Sequence, residues 1–177
     1  MDVSAMYTFL TEENVFLHLD YYRTIRAKLS IFLKSMKQPE DLTVESIFDF
    51  KLNTSFKKEI LPLIKSAELH KIYFNSFSFP IVECEKIKKY FSSKEAFLFD
   101  LYCAAKEKKL GFLCVFKAHS KGIDVAFSDD ISISQIGDIS LAVDLSEHAY
   151  FLDYGFDRDA YLKSALGHLN ISKLFDG

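Results

Sequence analysis

The hydrophobic period of this 177-residue chain changes at Gly111, and that change limits the folds available to it. Before Gly111, apolar residues recur every three or four positions, as on the buried face of a helix. After Gly111, apolar and polar residues alternate, as in strands with one covered face. Early helices and late, closely connected strands are typical of an α+β fold. The sequence therefore predicts N-terminal and central helices packed on a mainly antiparallel sheet over about 111–154, followed by a C-terminal helix.

Several helix boundaries can be identified in the sequence. Thr11 is a plausible N-cap for the first long helix, and Pro62 should kink or divide the second. Ser92 and Glu95 have the spacing of a capping box, and Asp157 is expected to cap the last helix. The predicted helices cover 15–36, 55–69, 85–91, 93–109 and a final segment from about 157.

The strands are predicted from short apolar runs and from alternation. These segments are 71–75, 80–84, 112–116, 123–128, 131–134, 139–145 and 150–152. The segment 43–52 fits either a helix or a strand, because it alternates like a strand and also has a possible helix cap. Leu101 in the fourth helix and Val115 in a continuous apolar strand are expected to lie in the core.

The length predicts a single domain over 1–177. The three cysteines, Cys84, Cys103 and Cys114, lie in apolar surroundings and have neither metal-binding nor redox spacing. They are interpreted as buried thiols, which indicates a reducing compartment and hence a cytoplasmic location. No apolar run is long enough to span a bilayer, and the acidic N-terminus does not resemble a secretion signal.

Charge is distributed unevenly along the chain. Residues 1–122 carry a net charge of +4, whereas residues 123–162 contain nine acids and one arginine, a net charge of −8. This acidic block has three interpretations: a solvated sheet face, a surface for a cationic partner, or a cation site. Direct nucleic-acid binding is not expected there, because phosphate contacts need lysine and arginine.

Aromatic residues alternate with acids near the end of the acidic block, as they do in many protein interfaces. Partial burial of the same aromatic residues in the core is an equally simple interpretation. The predicted partner-binding residues are Asp124, Asp129, Asp130, Asp138, Asp144, Glu147, Tyr150, Asp153 and Tyr154.

No catalytic motif is present: the chain has no phosphate-binding loop, no dinucleotide-binding glycine pattern and no nucleophile elbow. His18 and His168 are interpreted as packed or exposed helix residues. The sequence therefore predicts a protein that is not an enzyme, without catalytic residues, cofactor or metal. The alternative is a small metal-dependent hydrolase or nuclease, in which four clustered side chains hold a divalent ion that activates water. Those side chains are Asp144, Glu147, His148 and Asp153.

The small size, the lack of motifs and the acidic aromatic block over 124–159 resemble the bacterial immunity proteins of contact-dependent growth inhibition and related toxin systems. This resemblance implies a cytoplasmic inhibitor that neutralises a cognate basic toxin domain, such as a nuclease. Its partner would be that protein toxin, with no direct contact to nucleic acid or membrane. A structural or regulatory protein-binding subunit is a further alternative.

Overall fold

The computed structural model describes residues 2–35 and 54–176, and it confirms the α+β prediction. Five α-helices lie in these residues. They are α1 (Glu12–Ser35), α2 (Thr54–Phe74), α3 (Lys94–Glu107), α4 (Phe151–Tyr154) and α5 (Arg158–Gly167). Short 3₁₀ helices are found at Ser4–Thr8, Glu85–Lys89, Ser128–Asp130, Ile133–Asp138, Glu147–Ala149 and Ile171–Phe175.

The sheet has three antiparallel strands, β1 (Phe112–Phe116), β2 (Val125–Phe127) and β3 (Ile139–Asp144), in the order β2-β1-β3. The central strand β1 is the continuous apolar run that follows Gly111. Leu113 lies opposite Phe127 on one side and opposite Val143 on the other. Phe112 pairs with Asp144, so the carboxyl end of β3 lies beside the start of β1.

The main core lies between the sheet and the helices, and it contains both Leu101 and Val115, as expected. Burial of β1 and β3 on both faces explains why their sequences are nearly continuous apolar runs. A smaller apolar cluster joins α1 to α2. It consists of Ile25, Leu29, Leu33, Ile60, Ile64 and Ala67.

Four of the predicted strands were wrong. The segment 71–75 mostly continues α2, because Leu69, Tyr73 and Phe74 reach the core at helical spacing. The segment 80–84, which begins at Pro80, forms no strand. Most of 131–134 enters the 3₁₀ helix Ile133–Asp138, whose start is closed by a capping box of Ser132 and Gln135.

The segment 150–152 enters α4 instead of a strand, because the amide groups of Asp153 and Tyr154 donate to the carbonyl of Tyr150. The predicted meander is therefore limited to three strands. Pro62 lies inside the continuous helix α2 and does not divide it.

Two of the predicted caps were confirmed and one was shifted. The hydroxyl of Thr11 accepts from the amide of Asn14 at 3.3 Å, and Asp157 accepts from the amide of Ala160 at 3.0 Å. Helix α3 is capped by Ser93, whose hydroxyl accepts from the amide of Ala96, and not by Ser92.

The ambiguous segment 43–52 lies outside the described residues, and the single-domain organisation stays a prediction. Within the described ranges, no helix combines the length and the apolar composition needed to cross a bilayer.

Candidate metal centre

Four side chains from separate parts of the chain converge at the end of β3. They are His18 of α1, His70 of α2, Asp144 at the last position of β3, and His148 in the 3₁₀ helix Glu147–Ala149. Each offers one ligand atom, and these four atoms lie within 4.8 Å of one another. Imidazole nitrogen and carboxylate oxygen are common ligands of transition metals, so the cluster has the composition of a metal site.

One oxygen of Asp144 forms the middle of the cluster. Its Oδ2 lies 3.0 Å from His148 Nε2, 3.4 Å from His18 Nε2 and 3.7 Å from His70 Nε2. The side chain of Asp144 is 0% exposed, and those of His18 and His70 are also buried. His148, at 35% exposure, is the ligand that faces solvent.

Local structure explains how Asp144 and His148 come together. Asp144 ends β3, and its Oδ1 accepts a hydrogen bond from the amide of Ser146 at 2.9 Å, which turns the chain. The 3₁₀ helix that follows places His148 four residues after Asp144, where its Nε2 reaches the carboxylate. The hydroxyl of Tyr161 donates to the backbone carbonyl of Asp144 at 2.8 Å and holds the strand end from the opposite side.

The two helix histidines are presented by the buried faces of their helices. His18 lies one turn after Asn14, and both side chains are buried. In α2, His70 directly follows the buried Leu69, and its Nδ1 lies 2.7 Å from the carbonyl oxygen of Ser66. This contact fixes the Nδ1 atom as the donor and leaves Nε2 free to bind a metal.

Aromatic rings surround the cluster. The ring of His18 lies 4.9 Å from that of Tyr73, and the ring of His70 lies 4.9 Å from that of Phe112. The ring of the half-exposed Tyr21 lies 4.4 Å from that of His148. These rings limit access of water and lower the local dielectric, which strengthens electrostatic interactions at the site.

Burial sets the protonation of the ligands. It lowers the pKa of His70 to about 4 and also lowers the pKa of His18, so both imidazoles are neutral at pH 7. Burial alone would raise the pKa of Asp144, but the neighbouring His148 and His18 outweigh that effect and hold its pKa well below the usual range. Neutral imidazoles beside an ionised carboxylate are the protonation states that bind a metal ion.

The unpaired atoms of the cluster fit a metal ion. Within the described part of the chain, His18 Nε2 and His70 Nε2 are buried and have no hydrogen-bond partner. Unpaired buried polar atoms are costly and therefore uncommon in folded proteins. A metal bound between these two nitrogens and Asp144 Oδ2 would give each of them a partner. Three nitrogens and one oxygen form a donor set that suits several first-row transition metals, iron and manganese among them.

The structure brings together only half of the metal-site candidates from the sequence. Asp144 and His148 belong to the cluster, whereas Glu147 and Asp153 do not. The carboxylate of Asp153 instead binds Thr11, at 2.8 Å from its amide nitrogen and 2.6 Å from its hydroxyl. The sequence interpreted His18 as an ordinary packed helix residue, although it belongs to the cluster. His70 also belongs to the cluster, and the sequence did not suggest it as a candidate.

The predicted partner-binding surface requires a correction. Asp144 and Tyr150 are 0% and 4% exposed, so neither can contribute to an open surface. Tyr150 packs against Tyr161, with the ring centroids 4.5 Å apart. The hydroxyl of Tyr154 donates to the carbonyl of Phe9.

The remaining acidic candidates lie nearer to solvent. Lys108 lies 3.4 Å from both Asp129 and Asp130, and His119 lies 3.1 Å from Asp124. The contacts of Lys108 partly offset the negative charge that the sequence suggested. Partner binding by Asp124, Asp129, Asp130, Asp138, Glu147, Asp153 and Tyr154 stays a prediction.

Comparison with known families provides a second, independent observation. Residues 83–175, just over half of the chain, match the family described as "Iron/manganese superoxide dismutases, C-terminal domain". The matched segment contains Asp144 and His148, whereas His18 and His70 lie outside it. Comparison with curated proteins gives no significant match.

This match overturns three predictions from the sequence. The resemblance to toxin-immunity proteins was wrong, as were the inhibitor function derived from it and the prediction that the chain is not an enzyme. These predictions were based on the acidic block and on the absence of catalytic motifs. Neither feature reveals the cluster of four possible ligands, which forms only when the chain folds. The chain belongs to the iron/manganese superoxide dismutase family.

Proposed function

We propose that the protein is a superoxide dismutase in which His18, His70, Asp144 and His148 hold one iron or manganese ion. The observation that supports this most strongly is the convergence of two ligands from outside the matched segment on the two inside it. The family match by itself depends on residues 83–175, and the positions of His18 and His70 did not enter it.

The reaction combines two superoxide anions and two protons into one molecule of oxygen and one of hydrogen peroxide. Bound iron or manganese would supply the one-electron oxidation of one superoxide and the one-electron reduction of the other. The roles of the protein are to hold the ion, to exclude other reactants and to admit the small substrate.

Access to the centre is expected beside His148. This ligand is 35% exposed, while the side chains of the other three are nearly or fully buried. The ring of Tyr21 lies beside this exposed ligand, 4.4 Å from the ring of His148 and 5.5 Å from that of His70.

Two buried tyrosines, Tyr73 and Tyr161, help to hold the backbone at Asp144. Burial raises the pKa of Tyr73 and Tyr161, so both hydroxyl groups keep their protons. The protonated hydroxyl of Tyr161 donates to the backbone carbonyl of Asp144. The hydroxyl oxygens of Tyr73 and Tyr161 lie 3.4 Å apart. This pair holds the end of β3 in place without adding a charge next to the ligands.

The test is reconstitution of metal-free protein with Fe²⁺ or Mn²⁺ separately, followed by an assay of superoxide removal. His70→Gln is compared with His168→Gln, because both histidines direct Nδ1 to the carbonyl oxygen four residues earlier but only His70 is in the centre. We expect His70→Gln to lose at least about 10-fold in activity and His168→Gln to stay near wild type. Inactivity of the wild type with both metals, or equal losses in both variants, would contradict the proposal.

The alternative of a metal-dependent hydrolase or nuclease has no support from the family match, and its proposed ligands Glu147 and Asp153 do not join the cluster. For the location, we propose the cytoplasm. The support is that Cys84, Cys103 and Cys114 are all free thiols, as expected in a reducing compartment. The prediction that all three are buried was wrong, because Cys84 is partly buried and Cys103 is exposed.

A further inference from the structure

Of the four ligands, His18 is the one whose ring has no hydrogen bond to hold it. Both of its ring nitrogens are buried without a partner in the described part of the chain. By contrast, His70 is held through Ser66, and His148 contacts Asp144 at 3.0 Å. The position of His18 therefore depends on ring packing and on where helix α1 lies.

Helix α1 is tied by its first residues to the segment that follows His148. The carboxylate of Asp153 accepts two hydrogen bonds from Thr11, one from the amide at 2.8 Å and one from the hydroxyl at 2.6 Å. The hydroxyl of Tyr154 donates to the carbonyl of Phe9 at 2.6 Å. We call these four residues, Phe9, Thr11, Asp153 and Tyr154, the clasp.

The clasp connects two ligand-bearing segments near the centre. Asp153 lies five residues after His148, and Thr11 lies seven residues before His18, or about 10 Å along a helix. Thr11 is also the N-cap of α1, because its hydroxyl accepts from the amide of Asn14. The two bonds to one carboxylate restrict both the position and the direction of the helix start.

We propose that Asp153 is a positioning residue that sets the distance of His18 from Asp144 and His148 by fixing the start of helix α1. This inference rests on the proposed function, since it assumes that the cluster binds a metal ion. The positioning role also gives a function to Asp153 outside the cluster, although the sequence suggested it as a metal ligand. Asp153 acts through its hydrogen bonds to Thr11.

An ordinary helix cap would have a structural effect alone, so the test must separate metal affinity from stability. The variants are Asp153→Ala, which removes both bonds to Thr11, and Tyr154→Phe, which removes only the bond to Phe9. Ser93→Ala is the matched control, because it removes the cap of α3, a helix that carries none of the four ligands. Thr11→Ser keeps both donors and should behave like wild type.

The readouts are the melting temperature of the metal-free protein, the dissociation constant for Mn²⁺ by calorimetry, and the visible absorption of bound Co²⁺, which reports ligand geometry. We expect Asp153→Ala to weaken Mn²⁺ binding about 10-fold and to alter the Co²⁺ spectrum. Ser93→Ala should lower the melting temperature without changing either metal readout. Tyr154→Phe should weaken Mn²⁺ binding less than Asp153→Ala does.

Unchanged Mn²⁺ affinity in Asp153→Ala, with a wild type that binds, would overturn the positioning role and leave the proposed function intact. Failure of the wild type to bind Mn²⁺ and Co²⁺ would overturn both. If Asp153→Ala does not fold, Asp153→Asn decides the matter, because it keeps one of the two acceptor oxygens that bind Thr11 and removes the other. An Mn²⁺ affinity equal to that of wild type in Asp153→Asn would then overturn the positioning role.

Discussion

Replacement of Asp144 by asparagine should separate metal binding from folding. Asparagine keeps an oxygen that can accept from the amide of Ser146, as Oδ1 of Asp144 does at 2.9 Å. Its amide nitrogen would take the place of Oδ2 beside the Nε2 of His148, where it can act only as a hydrogen-bond donor. The free energy of unfolding of the metal-free variant should therefore fall by about 1 kcal/mol, the net contribution of one hydrogen bond. For a chain of this length, that loss lowers the melting temperature by about 2–4 °C.

The effect on metal-linked stability should be larger. Free metal at 100 times its dissociation constant stabilises the wild type by about 2.7 kcal/mol, or roughly 5–10 °C in melting temperature. If the loss of the ionised ligand weakens binding about 100-fold, the same metal concentration stabilises the variant by only about 0.4 kcal/mol. Almost all of the metal-dependent rise in melting temperature should then disappear in the variant. The sequence led us to expect no effect of metal removal, and the centre predicts the opposite.

The assay is calorimetry of wild type and variant, each measured with a chelator and with Mn²⁺. Asp138→Asn is the matched control, because Asp138 is exposed just before the start of β3 whereas Asp144 is buried at its end. The control should keep the full metal-dependent shift. The reasoning is refuted if Mn²⁺ raises the melting temperature of Asp144→Asn as much as that of wild type, or if it raises neither.

Two further predictions concern the fold around the centre. Ser93→Ala should destabilise the protein by about 0.5–2 kcal/mol in urea denaturation, whereas Ser92→Ala should leave the midpoint unchanged, because only Ser93 accepts from the amide of Ala96. An aromatic disulfide reagent at pH 8 should react rapidly with the exposed Cys103 and leave Cys114 unmodified until the protein unfolds. Burial raises the pKa of Cys114 to about 12, so equal reaction rates at the two thiols would contradict its position in the core.

The parts of the fold with a long, regular pattern were predictable from the sequence. Helix α1 and the strand β1 follow directly from the spacing of apolar residues, and Asp157 was correctly identified as the cap of α5. Short apolar runs were not predictable in the same way, because three or four residues fit a strand and a helical turn equally well. Tertiary contacts decided these cases: the segment 71–75 became helical because Tyr73 and Phe74 pack into the core.

The charge argument failed because a formal sum ignores what each acid contacts. Asp144 lies among three histidines, Asp153 binds Thr11, and Asp157 caps α5. Asp159 lies 3.1 Å from Lys106, a base that the sequence places in a different block. Several acids of the block therefore have local structural partners, which the count of −8 over 123–162 cannot reveal.

Half of the candidate metal centre was visible in the sequence, for a geometric reason. Asp144 and His148 lie four residues apart, so local spacing alone suggests that they can bind the same metal ion. His18 and His70 lie on different helices, and only the packing of α1 against α2 brings them to the end of β3. The signal that could have revealed them is a histidine on the apolar face of each helix, where burial of an imidazole is costly unless it finds a partner. When two such histidines are considered together with a carboxylate–histidine pair, one shared metal ion would give all four side chains a partner, whereas separate explanations would need a partner for each.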